Sequence, residues 1–343
     1  MPTVAIAGAS GYAGAELVRL LQNHPNFDLV TIAAGSNAGS RLGEVHPQFA
    51  GQPELADLIF TETTPATLAG ADLIFLALPH GQSASLISGL PETAKVVDLG
   101  ADFRLMDSAE WDMYYGGTHA GTWTYGLAEI PGNREQIAGA SHVANPGCYA
   151  TAIALGLAPV VADGLIDLHD IVVVAASGTS GAGRGAKVNL LASEVAGAMS
   201  TYKIGGTHQH TPEIEQTLRN LGGQDVTINF TPMLAPMPRG ILASISVRTT
   251  ASLQELEISL GNFYANETFV TLLPDGQLPN TAATLGSNAV HIQVAKDLRT
   301  SRATIVVALD NLIKGAAGQA LQNANIMFGF PEALGLSAIG VAP

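Results

Sequence analysis

Cysteine is almost missing from this chain: one residue, Cys148, in 343. A single thiol excludes an internal disulfide and fits a reducing compartment. Charge is also sparse, at 13% of residues, and basic residues number 15 against 29 acidic ones, a formal net charge of −14. That balance argues against a nucleic-acid partner, whose phosphates need a basic footprint. No continuous apolar run reaches the about 18 residues a membrane-spanning helix needs. The nearest candidates, around 152–162 and 171–176, are broken by Gly, Pro or charge. The stretch from Met1 to Gly8 carries no basic segment, and its apolar run is too short for a signal peptide. A soluble, cytoplasmic protein is expected.

Glycine is plentiful, with 38 residues, and 47% of the chain is apolar. This composition suits a compact, loop-rich enzyme of two domains. Thr3 to Ala7 reads as a buried strand and Ala15 to Gln22 as a helix. Between them lie Gly8, Ser10, Gly11, Tyr12, Ala13 and Gly14, with glycines spaced G-x-x-G-x-x-G. A strand, a glycine turn and a helix together form a variant of the dinucleotide fingerprint, in which main-chain amides meet a pyrophosphate. Leu29 to Ala34 is a second strand. It ends without the carboxylate that holds an NAD ribose, and runs instead into Ser36, Asn37 and Arg41. A 2′-phosphate suits that loop, so NADP is expected over NAD. Ala71 to Leu78 is a third strand whose end, Pro79-His80-Gly81, is placed near the nicotinamide by the same fold logic.

Cys148 follows Asn145-Pro146-Gly147, where a strand-like stretch gives way to the helical spacing of Ile153, Leu157, Val160 and Val161. A thiol in the first turn of a helix faces unpaired amides that favour its thiolate. A second glycine-rich stretch, Ser177 to Gly185, includes Gly181 and carries Arg184. Arg41, Arg104, Arg184, Lys187, Lys203 and Arg239 lie in irregular segments and are candidates to hold anions. Further on, His208 and His210 precede Thr211-Pro212-Glu213, which reads as N-cap, first helical residue and first-turn acid. A histidine acid/base complements a cysteine nucleophile. A metal reading of His-x-His lacks a Cys pair or H-E-x-x-H to complete it, so no metal is expected. Strand-like runs at 226–230, 241–248, 290–295 and 304–309, with one amphipathic helix at 253–263, suggest an α+β domain whose uncovered sheet face forms a subunit contact.

Several motifs in order resemble the N-acetyl-γ-glutamyl-phosphate reductase family. They are Gly8 to Gly14, Leu78 to Gly81, Asp98 to Leu105, Asn145 to Tyr149, Ser177 to Arg184, His208 to Ile214 and Asp310 to Gly315. The resemblance implies an α/β fold like that of aspartate-semialdehyde dehydrogenase. An N-terminal Rossmann-type NADP-binding domain, 1–147, is completed by a returning C-terminal helix within 310–343. A central α+β domain, 148–309, carries substrate and makes a homo-oligomer, dimer or tetramer. It also implies NADPH-dependent reduction of an acyl phosphate through a Cys148 thioester. His208 is favoured as acid/base, with His210 and Glu213 as substrate or orienting contacts. Arg104, Arg184, Arg239 and Asn145 are expected on the substrate, and Gly181 and Asn311 on the cofactor. Competing readings are aspartate-semialdehyde dehydrogenase, a reductase of carrier-bound aminoadipyl phosphate, and a non-catalytic NADP sensor.

Overall fold

The computed structural model of the chain describes residues Met1 to Ala342. Two compact units are formed: Met1–Arg104 with His119–Pro146 and Ala316–Leu336, and Leu105–Thr118 with Gly147–Gly315 and the residues from Ser337 on. The division departs from the expected one at 310–315 and from Ser337 on, which fall in the second unit, and at 105–118, where hydrogen bonds explain why. Gln216 Oε1 accepts the Met106 amide at 2.7 Å, and Tyr115 donates its hydroxyl to the Gln209 carbonyl at 3.4 Å.

Unit one holds strands β1 (Thr3–Ala7), β2 (Asp28–Ala34), β3 (Thr61–Glu62), β4 (Leu73–Leu76), β5 (Lys95–Asp98), β6 (Thr124–Tyr125) and β7 (His142–Ala144). They form one parallel sheet in the order β3-β2-β1-β4-β5-β7-β6. Val4 to Ala7 and Leu73 to Leu76 are wholly buried, which is why both strands read as unbroken apolar runs rather than alternating ones. The strand order reverses direction between β1 and β4, the place where open α/β sheets bind ligands. The late helix Gly318–Met327 belongs to this unit. Asn323 Nδ2 donates to the Gly126 carbonyl at 2.8 Å, and Asn325 Oδ1 meets His24 Nε2 at 3.0 Å. That helix does not begin at Asp310-Asn311 as expected. The Asp310 carboxylate accepts the Leu312 and Ile313 amides, and a π-helical turn, Ile313–Ala317, intervenes.

Unit two holds β8 (Ile171–Ser177), β9 (Ser200–Thr201), β10 (Ile228–Leu234), β11 (Ile241–Arg248), β12 (Val270–Leu272), β13 (Val290–Asp297) and β14 (Arg302–Leu309). Their order is β12-β13-β14-β11-β8-β10-β9, a mixed sheet. Residues alternate buried and exposed along β8 and β11, so one face is covered and the other is not. The helix Cys148–Ala162 is apolar all round and lies on the covered face. A side chain at Gly156 would come within 2.8 Å of both Ile245 and Val307, so glycine lets this helix approach the sheet closely. Pro159 inside the helix cannot donate to the Leu155 carbonyl, and the Tyr264 hydroxyl donates to it instead. Among the described residues, no helix is long and apolar enough to cross a membrane.

Candidate active site

In unit one the glycine turn is built from backbone. Gly8 has φ +80, and a Cβ there would fall 2.2 Å from the Ala77 carbonyl oxygen, so only glycine fits. The Gly8 and Ala9 amides both donate to the Ala33 carbonyl, at 2.9 and 3.0 Å. A Cβ on Gly14 would meet Gly8 O at 2.4 Å, so the helix Tyr12–Leu21 packs directly on the turn. Gly11 is the residue before that helix and its side-chain space is bounded by Gly8 O at 3.3 Å. His46, buried and not singled out in the sequence, donates Nε2–H to the Ala9 carbonyl at 3.2 Å. Ser10 and Ala13 are half-buried and Tyr12 is exposed. A turn closed to any Cβ at Gly8 and Gly14, followed by a helix N-terminus, fits a dinucleotide pyrophosphate.

Beyond β2, Ser36 and Arg41 are exposed and Asn37 half-exposed. Arg41 Nη1 meets Asp57 Oδ1 at 2.9 Å, with both side chains well solvated. Pro79 and His80 are exposed in the turn after β4. The buried Asp102 carboxylate accepts the Gly81 amide at 2.6 Å and the Ala84 amide at 3.1 Å, which fixes that turn. Asp98, wholly buried, accepts Ser83 Oγ at 2.7 Å and the Gly100 amide at 2.9 Å. Burial pushes its carboxyl up to about 6, against the hydrogen bonds that pull it down, and Asp102 adds to the rise. Arg104 is buried too: Nε donates to the Asn145 carbonyl and Nη2 to the Leu99 carbonyl, each at 2.8 Å. The Asn145 amide donates to the Ala316 carbonyl at 3.2 Å and accepts Asn323 Nδ2 at 3.1 Å. Both residues, expected on the substrate, hold the chain leading into Cys148.

In unit two Cys148 is the first residue of its helix, with Gly147 as N-cap, and is partly exposed. Glu213, buried in the first turn of the helix His210–Gly222, accepts the Gly147 amide at 2.7 Å. Its carboxylate thereby satisfies an orphan donor at the start of the nucleophile's helix. The expected capping by Thr211 is not what forms: the helix starts two residues before Pro212, with Gln209 at the N-cap. A Cβ on Gly315 would meet Cys148 Cβ at 2.7 Å, so the π-helical turn presses against the cysteine. Sequence reading missed this contact.

His208 sits in an aromatic box. Its ring centroid lies 5.4 Å from Tyr149, 5.6 Å from Tyr202, 5.1 Å from Phe230 and 4.9 Å from His210. Burial, then the charges of His210 and Lys203, push its pKa down to about 2, with Glu213 opposing weakly. Its Nδ1 accepts the His210 amide at 3.0 Å, so the neutral ring carries its proton on Nε2. His210 is more exposed and lies 6.1 Å from the Tyr149 ring. The Tyr149 hydroxyl donates to the Met233 carbonyl at 3.0 Å, and Tyr202 donates to Tyr149 at 3.3 Å. Desolvation holds Tyr202 up at about 12 and Tyr149 well above an ordinary phenol, with the nearby Cys148 charge adding to both.

A third group in unit two joins three loops. Asn311 Oδ1 accepts the Gly240 amide at 2.7 Å and its Nδ2 donates to Ser180 Oγ at 3.0 Å. Arg239 Nε lies 3.2 Å from the buried Asp310 carboxylate, which orients the guanidinium. Gly181 and Arg184 lie on the exposed stretch beyond β8.

This arrangement matches a class of known proteins. The semialdehyde dehydrogenase NAD-binding domain family matches residues 3–140, and the semialdehyde dehydrogenase dimerisation domain family matches 148–311. The fold is that of aspartate semialdehyde dehydrogenase II complexed with ASA from Vibrio cholerae, with a TM-score of 0.70 at 16% identity, covering 96% of this chain and 98% of that one. Aspartate semialdehyde dehydrogenase with NADP from Candida albicans gives 0.66 at 17% identity, covering 96% and 98%. Within this class the sequence is specific. It is 58% identical over 342 residues to an N-acetyl-gamma-glutamyl-phosphate reductase of Acidothermus cellulolyticus, covering 99% of each chain. The protein of that name from Salinispora arenicola is 57% identical over 340 residues, again covering 99% of each. The chain belongs to the N-acetyl-gamma-glutamyl-phosphate reductase family.

Proposed function

We propose that this chain reduces N-acetyl-L-glutamyl 5-phosphate to N-acetyl-L-glutamate 5-semialdehyde with NADPH, releasing phosphate, as a step of arginine biosynthesis in the cytoplasm. The observation that carries the reading is the partly exposed Cys148 at the start of an apolar helix, with two histidines beside its neighbour Tyr149. The Cys148 thiolate attacks the acyl carbon, and the C–O bond to phosphate breaks to leave a thioester. Bound NADPH supplies the hydride that reduces the thioester carbonyl. The resulting hemithioacetal oxyanion is stabilised by the positive end of the Cys148 helix. Its collapse expels the thiolate and frees the aldehyde.

Proton transfer in this scheme falls to His210 rather than His208. A boxed imidazole held neutral, with Nδ1 already accepting a main-chain amide, is a poor base and serves as a packed donor from Nε2. Glu213 positions the nucleophile's turn through Gly147. Arg239, aligned by Asp310, suits the planar substrate carboxylate, and Arg184 lies on the same sheet edge of loops. Arg104 and Asn145 support the approach to Cys148.

For the cofactor, Gly8 to Gly14 take the pyrophosphate, and Ser36, Asn37 and Arg41 take a 2′-phosphate. Pro79 and His80 lie at the nicotinamide end, and Gly181 and Asn311 contribute from their own loops. Val172, Val174 and Leu242, exposed on the uncovered sheet face, form the contact with a second copy. The test runs the reaction backwards, with N-acetylglutamate semialdehyde, phosphate and NADP, and follows NADPH absorbance. Turnover with aspartate semialdehyde alone would defeat the assignment.

A further inference from the structure

Two residues other than glycine have a positive φ among the described residues, Lys203 at 44° and Ser301 at 54°. Ser301 lies in the short turn between β13 and β14, where such conformations are ordinary. Lys203 does not lie in a hairpin. It follows Tyr202, whose amide donates to the Pro232 carbonyl at 3.3 Å beside β9, and precedes Gly205 and Gly206, at φ 73° and 76°. A lysine in the left-handed region is strained unless its surroundings impose it, and such strain gathers where a side chain must be aimed.

The aim is visible in its neighbours. Lys203 Nζ donates to Gln209 Oε1, the residue between the two histidines. Tyr202, immediately before it, donates to the Tyr149 hydroxyl and lays its ring edge on His208. The ammonium is thus tethered through Gln209 beside the two histidines, while the residue before it packs on His208. Burial, and then the charge of Lys187, hold the Lys203 ammonium below an ordinary lysine. Neither lysine forms an ion pair with a carboxylate among the described residues, in a chain of 29 acids and 15 bases. An ammonium group set beside the two histidines, without a carboxylate partner, forms a place for a dianion.

We infer that Lys203 binds the phosphoryl group of the acyl phosphate and, in the reverse direction, inorganic phosphate. This rests on the proposed reductase reading. The geometry favours phosphate over the substrate carboxylate. Arg239 is a fixed fork suited to a planar group, whereas the Lys203 ammonium is a compact point charge suited to a leaving dianion. In a molecule at −14, a local positive charge also offsets the repulsion that phosphate meets elsewhere on the surface.

The reverse assay tests it with two variants. Lys203→Gly removes the ammonium but keeps the left-handed backbone; Lys203→Arg keeps the charge. The Michaelis constant for phosphate is expected to rise about tenfold or more in Lys203→Gly and to stay within about threefold in Lys203→Arg. Those for NADP and the semialdehyde are expected to stay within about twofold in both. A rise for the semialdehyde instead of phosphate overturns the assignment, as does an unchanged phosphate constant. Equal losses in Gly and Arg variants would show a backbone role and overturn it too. If the unaltered chain fails to turn over, the reductase reading falls and takes this inference with it. Normal turnover with an unaffected Lys203→Gly removes the Lys203 inference alone.

Discussion

The glycine turn of unit one and the cysteine–histidine cluster of unit two are built from different materials. The turn is main chain: its contacts are amides to the Ala33 carbonyl and a close approach to Ala77 that no side chain permits. The cluster is side chains, drawn from Cys148, Tyr149, Tyr202, His208, His210 and Phe230 on four separate segments. A main-chain site is sensitive to any added Cβ and indifferent to most side-chain chemistry. A side-chain site is the reverse, since its scaffold tolerates change while one functional atom does not. Substitutions at the two should therefore split activity from stability in opposite ways.

The sharpest test pairs Cys148→Ser with Gly8→Ala. Serine nearly fills the cysteine's space but is a far weaker nucleophile, so kcat should fall by about 10³-fold or more with the thermal midpoint preserved. Alanine at Gly8 meets both a positive φ and a carbonyl oxygen at 2.2 Å. It should lower stability by about 2–4 kcal/mol and raise the NADPH Michaelis constant. A Cys148→Ser enzyme of near-normal rate, or a Gly8→Ala protein of unchanged midpoint, would erase the contrast. Within the cluster, His210→Asn should lower kcat by about 10²–10³-fold and remove one limb of the pH–rate profile. His208→Asn should leave the profile's shape alone, because a ring held at about 2 does not titrate in the working range. Loss of the limb in His208→Asn instead would exchange the two roles.

The same difference in material explains what the sequence made legible. Glycine spacing reports backbone directly, so the strand, turn and helix of Gly8 to Gly14 could be read in advance. Cys148 stood out as the lone thiol, and Gly147 before an apolar helix placed it at the N-terminus. The aromatic box did not show, because Tyr202 and Phe230 meet His208 only after three segments fold together. Nor did the role of Glu213: three residues from His210, it turns to Gly147, on a helix start 66 residues away. The start of its helix shifted because Gln209 and His210 continue the helical turn ahead of Pro212. Asp98 and Asp102 were read as part of a motif, but Asp102 holds the turn at Gly81, 21 residues away, and Asp98 takes the Ser83 hydroxyl, 15 residues away, contacts with no local pattern.

Asp98 gives unit one a side-chain element that can be set against its main-chain turn. Its carboxyl stands at about 6 in the fold against an ordinary 3.8. A raised value means the proton is held more tightly in the folded chain. The stabilisation is therefore complete below about pH 4 and is lost as pH rises through about 6. The difference corresponds to about 3 kcal/mol between pH 4 and pH 8. Asp98→Asn removes the charge while keeping an acceptor for Ser83. Its midpoint relative to the parent should rise with pH across that window, while the cofactor Michaelis constant stays put. A pH-independent difference would mean that Asp98 is already well solvated or paired when ionised.

The smallest effect is expected at Arg41, the side chain on which the proposed cofactor site of unit one relies. The guanidinium is solvated and paired with the equally solvated Asp57 at 2.9 Å, a surface contact worth little by itself. That weakness is what lets it be given up to a ligand phosphate at small cost. Arg41→Ala should therefore leave the midpoint unchanged and reduce the preference for NADP over NAD by about tenfold, the effect of one charge-assisted contact. Asp57→Ala, which frees the arginine, should move the preference slightly the other way. The Arg41 effect should shrink as salt is raised, because an exposed charge is screened within about 10 Å at 0.1 M. Equal preference in parent and Arg41→Ala would transfer the selection to Ser36 and Asn37, and the cofactor site of unit one would then be main chain and neutral side chains throughout.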